Sequence, residues 1–281
     1  MTALGIIAGG GDLPVAIAES AIESGRPVFI VALRGSADES IARFPHAWAG
    51  IGEAGKTLTL LRTHDCSDIL LAGRVARPRF SDLKVDTKGL LLLPKVIAAA
   101  RKGDDALLRA LVASFEAEGF RTVGVEEAAP GLIAQEGVLG RVAPSGEIAD
   151  DIALAVKVVR ALGALDVGQA AAVCDGLVLA VEAAEGTDAM IARVGTLPET
   201  LRGTPVKRRG VLVKALKPSQ DRKTDLPVIG VQTVRNAAAA GLAGVAIEAG
   251  RSLVINRRGI VEAADAAGVF VTVFASNAYL D

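Results

Sequence analysis

The stretch LGIIAGGGDLPVAIAESAIESGRPVFIVAL, residues 4–33, decides the fold class of this chain. It begins with a short apolar run, is broken by three consecutive glycines, and continues with apolar residues at helical spacing. Pro14 suits the first turn of that helix and Asp12 is a candidate N-cap residue. A second apolar run follows at residues 27–33. A strand, a helix and a strand joined by short connections predict a βαβ unit of a parallel sheet.

Two domains are predicted from the rest of the chain. The patterns up to residue 125 indicate helices at 56–63, 90–101 and 105–118, with strands at 68–72 and 121–125. Residues 126–147 are rich in proline and glycine and are typical of a linker. We therefore expect an α/β protein with an N-terminal Rossmann-like parallel sheet at residues 1–133 and a C-terminal mixed α/β domain at residues 134–281.

The C-terminal half contains a hairpin signal. Strand-like runs at 169–174 and 177–182 are separated by Asp175-Gly176, a pair that favours a two-residue turn between antiparallel strands. The remaining apolar patterns predict helices at 148–162, 188–194, 231–240 and 260–267, and strands at 210–215, 245–248 and 270–274.

The composition excludes several classes of protein. Hydrophobic residues make up 51% of the chain but aromatic residues only 3%, so the core is aliphatic and a base-stacking surface is not expected. A net charge of −1 also argues against a nucleic-acid partner. No apolar run reaches the ~18 residues of a membrane span, and the N-terminus lacks a signal-peptide pattern. Cys66 and Cys174 have no CxxC spacing, which predicts reduced core thiols in a cytoplasmic protein.

The glycine loop after the first strand is a candidate phosphate or sugar site. Gly10, Gly11 and Asp12 stand at a strand-to-helix junction, where backbone N–H groups and the helix N-terminus attract anions. The loop is not a complete dinucleotide fingerprint, because Pro14 takes the place of the third glycine and Arg34 follows the second strand. A tight turn without a ligand is the alternative.

Further candidates follow the strand at 68–72. Arg74, Arg77 and Arg79 lie where the carboxyl end of a parallel strand opens on a ligand crevice, although each one taken singly is better explained as a solvated loop arginine. Asp104 and Asp105 begin a predicted helix, and capping accounts for one of the two carboxylates.

Two charged segments in the C-terminal half suggest a metal and phosphate site. The first holds Glu182, Glu185, Thr187 and Asp188, and the second is KPSQDRKTDLP, residues 217–227. If the two segments are neighbours, their carboxylates suit Mg²⁺ and their lysines suit phosphate. Helix capping by Thr187 or Asp188 and an ordinary surface loop are the alternatives.

Other catalytic chemistries lack their residues. The two histidines, His46 and His64, are poor catalytic candidates, and zinc is not expected with so few soft ligands. The sequence contains no GxSxG motif. What remains is carboxylate, lysine and metal chemistry on a phosphorylated substrate.

A series of motifs, taken in order, resembles one family. They are GIIAGGGDLP, LLAGRVARP, GDDALLRAL, LDVGQAAAVCDGLVLAVEAAEGTDAM, GVLVKALKPSQDRKTDLPVIG and AGLAGVAIEAG. Together they resemble the UDP-2,3-diacylglucosamine pyrophosphatase family of lipid A biosynthesis, the type unrelated to calcineurin-like phosphoesterases. The resemblance runs from Gly5 to about Phe270 and departs from the family at Ser219, where glycine is frequent.

The resemblance implies hydrolysis of UDP-2,3-diacylglucosamine to UMP and 2,3-diacylglucosamine 1-phosphate (lipid X), usually with Mg²⁺. It also implies two α/β domains with the lipid-linked nucleotide sugar between them, a homodimer, and peripheral contact with the cytoplasmic face of the inner membrane. Asp225 corresponds to an aspartate that is essential in the family. A nucleotide-sugar transferase or dehydrogenase, and a non-enzymatic lipid or nucleotide sensor, are the rival hypotheses.

The motifs and the resemblance together assign roles to individual residues. The predicted catalytic residues are Asp225, Asp221, Lys214 and Lys217. The predicted substrate-binding residues are Gly10, Gly11, Asp12, Arg74, Thr187, Asp188 and Gln220. The predicted metal ligands are Asp225, Asp188 and Glu185.

Overall fold

The computed structural model describes residues 2–75, 83–216 and 226–279, apart from the side chains of Asp104 and Asp105. The chain forms two compact units that divide between Leu132 and Ile133. Each unit has its own sheet and its own aliphatic core, and the predicted α/β class, with one parallel and one mixed sheet, is confirmed.

The N-terminal unit begins with the predicted βαβ unit. Strand β1 (Ala3–Ala8), helix α1 (Leu13–Glu23) and strand β2 (Val28–Leu33) follow one another, and the two strands pair in parallel. Both strands are buried almost throughout, as expected of a parallel sheet that is covered on its two faces. The prediction from residues 4–33 is therefore confirmed.

The rest of this unit extends the sheet on both sides of β1 and β2. The elements are β3 (His46–Ala49), α2 (Ala54–Thr63), β4 (Cys66–Ala72), α3 (Thr87–Ala100), α4 (Asp104–Glu116), β5 (Arg121–Thr122) and α5 (Val125–Ala128). The strand order is β3-β2-β1-β4-β5, and every pairing is parallel. This order reverses direction between β1 and β4, and ligands of such sheets bind at that switch point.

Three details of the N-terminal unit differ from the sequence predictions. Strand β3 was not predicted, because it is an edge strand whose residues are mostly half-exposed and carry no apolar run. The strand predicted to reach Val125 ends at Thr122, and Val125 begins α5. The N-cap residue of α4 is Gly103, so neither Asp104 nor Asp105 takes the capping position that was expected for one of them.

The C-terminal unit has a mixed six-stranded sheet. Its elements are β6 (Gly137–Val138), α6 (Gly146–Ala164), β7 (Ala170–Cys174), β8 (Leu177–Val181), α7 (Thr187–Gly195), β9 (Val211–Lys214), β10 (Val228–Ile229), α8 (Val231–Ala239), β11 (Gly244–Glu248), β12 (Leu253–Val254), α9 (Arg257–Ala267) and β13 (Phe270–Phe274). The sheet order is β6-β13-β11-β9-β7-β8, while β10 and β12 form a separate parallel pair. Strands β9, β11 and β13 are parallel, β6 and β7 run antiparallel to them, and β8 pairs antiparallel with β7.

The predicted hairpin between β7 and β8 is confirmed. Asp175 and Gly176 both have positive φ, 51° and 75°, which is the requirement of the turn that suits the twist of paired strands. The buried carboxylate of Asp151 in α6 accepts hydrogen bonds from the N–H groups of Asp175 and Gly176 at 2.9 and 2.7 Å. The turn is thus held from beneath by the helix that covers the sheet.

The cores are aliphatic, as the composition predicts. In the C-terminal unit α6 packs Ile152 and Val156 on one face of the sheet, while α7, α8 and α9 pack Ile191, Val234 and Ile260 on the other. Cys66 and Cys174 are buried and unpaired, and burial raises the pKa of each thiol to about 11. Both thiols are therefore protonated core residues at neutral pH.

Candidate functional site

The loops after β1 and β4 are joined directly at the switch point of the N-terminal sheet. The Gly10 N–H donates to the Arg74 carbonyl at 2.8 Å, and the Arg74 N–H donates to the Gly10 carbonyl at 2.8 Å. A side chain at Gly9 would collide with the Arg74 backbone, so glycine is required for this approach. The structure therefore brings together Gly10, Gly11 and Arg74, three of the predicted binding residues.

These loops line an open cleft of about 330 Å³. Its lining residues are Gly10, Gly11, Gly35, Ser36, Asp38 and Arg74. The Gly11 N–H donates to the Asp38 carboxylate at 2.6 Å, and the guanidinium of Arg74 lies beside Gly11. One cationic and one anionic side chain thus flank a backbone N–H at the end of β1, an arrangement that offers partners for both phosphate and hydroxyl groups.

Asp12 does not play the capping role that its position suggests. It stands at the N-cap of α1, but its exposed carboxylate makes no capping hydrogen bond, because its backbone is already helical (φ −77°, ψ −13°). A capping side chain needs extended backbone at the N-cap to reach back over the first turn. The role of Asp12 in ligand binding stays a prediction.

Sequence reasoning missed the third loop of this cleft. Gly35, Ser36 and Asp38 follow β2, and an acidic partner was not expected there because Arg34 comes first. Arg34 instead pairs with Glu53 and donates to the Trp48 carbonyl at 3.0 Å. The rule that selected Arg74, the carboxyl end of a parallel strand, would have found Asp38 had it been applied to β2.

The second cluster lies at one edge of the C-terminal sheet and consists of three buried charged residues. Lys214 ends β9 beside Ala170 of β7, and the Glu182 N–H donates to the Ala170 carbonyl at 2.9 Å. Glu248 ends the neighbouring β11 and is only 1% exposed. Charged side chains are rarely buried unless they are paired, so the burial of three of them makes this edge a candidate functional site.

Each of the three charged groups is held by a defined partner. The Lys214 ammonium donates to the Val228 carbonyl at 3.0 Å. The Glu182 carboxylate accepts from the Gln169 N–H at 3.1 Å and from the Thr187 hydroxyl at 2.7 Å. The sequence indicated Glu182 only as part of an acidic segment, whereas the structure shows that its carboxylate is buried and bound by Gln169 and Thr187.

Glu248 has two arginine partners. Its carboxylate lies 3.3 Å from the guanidinium of Arg251 and 3.9 Å from that of Arg160. Sequence reasoning missed this residue because it ends an otherwise apolar strand, GVAIE. An acidic residue at the end of a buried strand was the available signal.

The expectation that Thr187 or Asp188 caps α7 is wrong. Gly186 stands at the N-cap, so the helix begins one residue earlier than predicted and neither Thr187 nor Asp188 is the N-cap residue. Thr187 binds Glu182, while the Asp188 carboxylate accepts from the Asn236 side-chain amide at 3.0 Å. Glu185 forms an ion pair of 2.9 Å with Arg193.

Several of the predicted catalytic, metal-binding and substrate-binding residues lie outside the described residues. They are Lys217, Gln220, Asp221 and Asp225, and the candidates Arg77 and Arg79 lie outside as well. Among the residues that the structure describes, no three His, Cys, Asp or Glu side chains form a metal-binding group. Of the predicted metal ligands, Glu185 and Asp188 are described, and both are carboxylates. One or two carboxylates together with substrate oxygens suit Mg²⁺.

Comparison with known proteins covers both units. Residues 3–132 match the family model described as the LpxI N-terminal domain, and residues 135–272 match the LpxI C-terminal domain. The chain belongs to the LpxI family. It is 51% identical over 271 residues to the UDP-2,3-diacylglucosamine pyrophosphatase LpxI of Caulobacter vibrioides, covering 96% of this chain and 97% of that protein. The family resemblance found in the motifs is thereby confirmed.

Proposed function

We propose that this LpxI-family chain is a UDP-2,3-diacylglucosamine pyrophosphatase, which releases UMP and 2,3-diacylglucosamine 1-phosphate. The observation that carries the proposal is the 51% identity to a pyrophosphatase of that name, which extends through both units rather than one. Neither rival hypothesis, a transferase or dehydrogenase and a sensor, has a comparable observation in its favour.

The cleft of the N-terminal unit is proposed to bind the polar part of the substrate. Arg74 would pair with the diphosphate, since guanidinium groups bind phosphate through several N–H donors. A phosphate bound at the Gly11 N–H would have to displace the Asp38 carboxylate, so we assign Asp38 to a substrate hydroxyl instead. Asp38→Asn is then expected to raise KM about threefold to tenfold in steady-state assays. A lower KM would show that Asp38 competes with phosphate.

The buried edge of the C-terminal unit is proposed to serve the chemical step. Lys214, held by the Val228 carbonyl at the end of β9, would with Lys217 stabilise the charge that develops on the departing UMP. Thr187, Asp188 and Gln220 would contact the substrate, and Asp225 and Asp221 would orient the attacking water. When bound by Asp225, Asp188 and Glu185, Mg²⁺ would neutralise diphosphate charge and make a bound water easier to deprotonate.

We propose that water attacks the β-phosphorus of the substrate. The water oxygen would form a bond to the phosphorus next to the diacylated sugar, the bond from that phosphorus to the bridging oxygen would break, and UMP would leave with the bridging oxygen. The water proton would pass to a carboxylate, with Asp225 as the proposed acceptor. The lipid product would then carry the new oxygen atom.

The proposal includes the surroundings of the enzyme. A diacylated substrate resides in a membrane, so we propose peripheral contact with the cytoplasmic face of the inner membrane. No helix in the described ranges is long and apolar enough to cross a membrane. A homodimer and the absence of a nucleic-acid partner complete the proposal.

The test is incubation of the purified protein with UDP-2,3-diacylglucosamine and either Mg²⁺ or EDTA, in water enriched in ¹⁸O. Metal-dependent UMP release, with the label on the lipid phosphate, is the expected result. Label on UMP would move the attack to the α-phosphorus. Folded, metal-supplied protein that binds the substrate but releases no UMP would favour the sensor hypothesis.

A further inference from the structure

Helix α3 directs an apolar face outward. Leu90 and Leu91 are 59% and 72% exposed, and Pro94, Lys95 and Ala98 are exposed as well. Residues at these spacings lie on one face of a helix. Only Gly89 and Ala100 of α3 are buried. Two adjacent exposed leucines in a helix are a large apolar surface for water to cover, and such a surface usually marks an interaction site.

The neighbouring helix of the same hairpin has a different outer face. In α4 the exposed residues include Arg109, Ala113 and Glu116, while Leu107 and Leu111 are half-buried. Helix α4 thus follows the ordinary amphipathic rule. The apolar exposure is a property of α3 and not of the hairpin as a whole.

The hairpin is also positively charged, although the chain is not. Residues 83–112 hold six basic and three acidic residues, whereas the whole chain has a net charge of −1. The basic residues are Lys84, Lys88, Lys95, Arg101, Lys102 and Arg109. Lys88 pairs with Glu118 and Asp86 caps α3 through the Gly89 N–H, so these two are already engaged within the protein. The hairpin thus combines the exposed leucines of α3 with a net positive charge.

We propose that the α3–α4 hairpin is the surface through which this protein docks onto an anionic lipid bilayer. Leu90 and Leu91 would insert at the level of the headgroups, and Lys95 would extend its charge toward lipid phosphates. Basic residues close to an anionic leaflet add attraction that falls with salt. The inference rests on the proposed function in one respect, namely that the substrate is a membrane lipid.

A second copy of the chain fits this face less well than a membrane does. In a symmetric dimer the same patch occurs on both sides of the interface, so the positive hairpin of one protomer would face the positive hairpin of its partner. Apolar contact would then be opposed by repulsion between like charges. An anionic bilayer offers an apolar region for the leucines and negative charge for the basic residues.

The test is cosedimentation of the full chain with vesicles of phosphatidylethanolamine, with and without phosphatidylglycerol. The wild type is compared with Leu90→Glu/Leu91→Glu, with Lys95→Glu, and with Leu165→Glu as a control. Leu165 is 75% exposed but lies in the other unit, so it matches Leu91 in exposure and not in location. All substituted side chains are exposed, and folding is checked by thermal unfolding.

Binding to the anionic vesicles is expected to weaken at least about tenfold in the double leucine variant and about fivefold in Lys95→Glu. The Leu165→Glu control is expected to bind like the wild type. Unchanged binding in the double variant, or no binding by the wild type, would overturn the proposal. A double variant that loses self-association but keeps vesicle binding would assign the face to a second copy.

Turnover of detergent-dispersed substrate separates this inference from the proposed function. The double leucine variant is expected to release UMP from micelles at a rate within about twofold of the wild type, because α3 takes no part in the proposed chemistry. Wild-type protein that binds vesicles but releases no UMP from micelles would reject the proposed function and leave the docking surface intact. A double variant with impaired micellar turnover and normal vesicle binding would overturn the docking surface.

Discussion

The cleft of the N-terminal unit and the buried edge of the C-terminal unit obey the same topological rule but differ in construction. Both lie at the carboxyl ends of parallel strands, β1 and β4 in one case, β9 and β11 in the other. The first is an open cleft built from backbone N–H groups, one arginine and one carboxylate. The second consists of charged side chains that are buried and individually held.

This difference suggests a division of tasks, with substrate recognition in the N-terminal unit and the chemical step in the C-terminal unit. An open cleft can exchange its water for a ligand at little cost, which suits recognition. Buried charges are already stripped of water and oriented, which suits the stabilisation of a transition state. If the division is correct, substitutions in the C-terminal unit should lower kcat and substitutions in the N-terminal cleft should raise KM.

The largest effect is expected for Asp225→Ala. Loss of the proposed metal-binding and water-orienting carboxylate should lower turnover by about three orders of magnitude or more, with little change in substrate affinity. A turnover assay would check the loss of activity, and a separate equilibrium binding measurement would check that substrate affinity is retained. Substantial turnover in a folded Asp225→Ala protein would remove this residue from the mechanism.

Lys214→Met should have the next largest effect. The substitution keeps the length of the side chain but removes the charge, and kcat is expected to fall about 10²-fold to 10³-fold. An exposed lysine of the same unit provides the control, since Lys207→Met should leave kcat unchanged. An increase in KM with normal kcat would instead place Lys214 in binding and break the contrast between the two units.

Arg74→Ala is expected to act mainly on binding. Loss of a charged hydrogen-bond donor at the cleft should raise KM about tenfold to a hundredfold while kcat changes little. Arg43→Ala removes a second exposed arginine of this unit, one that pairs with Glu19, and should not alter KM. Equal loss of kcat and kcat/KM in Arg74→Ala would mean that the N-terminal cleft also serves the chemical step.

Asp68→Asn is expected to leave turnover unchanged and to affect only stability. Asp68 is buried in β4, and hydrogen bonds from Arg121 and Arg26 lower the pKa of its carboxyl despite the opposing effect of burial. The variant should lose about 1–3 kcal/mol in the free energy of unfolding. Glu19→Gln, which breaks an exposed ion pair with Arg43, should lose well under about 1 kcal/mol.

The lowered pKa of the Asp68 carboxyl group should affect how the free energy of unfolding depends on pH. A lowered folded-state pKa gives stability that is present above the unfolded value, about 3.9. That stability is lost as the pH falls through the lower folded-state pKa. The wild type should therefore lose stability more steeply than Asp68→Asn below about pH 5. Parallel curves for the two proteins would show that Asp68 has an ordinary pKa.

The predictability of the fold differed between core elements and edge elements. Strands β1, β2, β7 and β13 were predicted closely because each is a continuous apolar run that a buried strand requires. The short strands β3, β6, β10 and β12 were missed. Two to four residues carry too little periodicity, and their pairing depends on what lies beside them.

The candidate sites show the same limit. Gly10, Gly11 and Arg74 could be grouped from sequence, because strand ends in a parallel sheet converge by rule. The partner of the glycine loop, Asp38, and the central position of Glu182 could not. Each depends on a hydrogen bond between segments whose approach is set by tertiary packing. The predictions of helix caps were wrong for a local reason. Asp12 already has helical backbone, and the N-cap residue of α7 is Gly186 and not Thr187.

By itself, the sequence determined the α/β class, the βαβ opening, the aliphatic core and the family, because apolar periodicity and ordered motifs are local properties of the chain. The tertiary structure alone decided which charges are buried and what each of them touches. Glu248 reads as the end of an apolar strand, yet it is enclosed between two arginines. Leu90 and Leu91 open a run of four leucines in a predicted helix, yet they face outward. Burial depends on neighbours distant in sequence, and their arrangement is known only once the chain has folded.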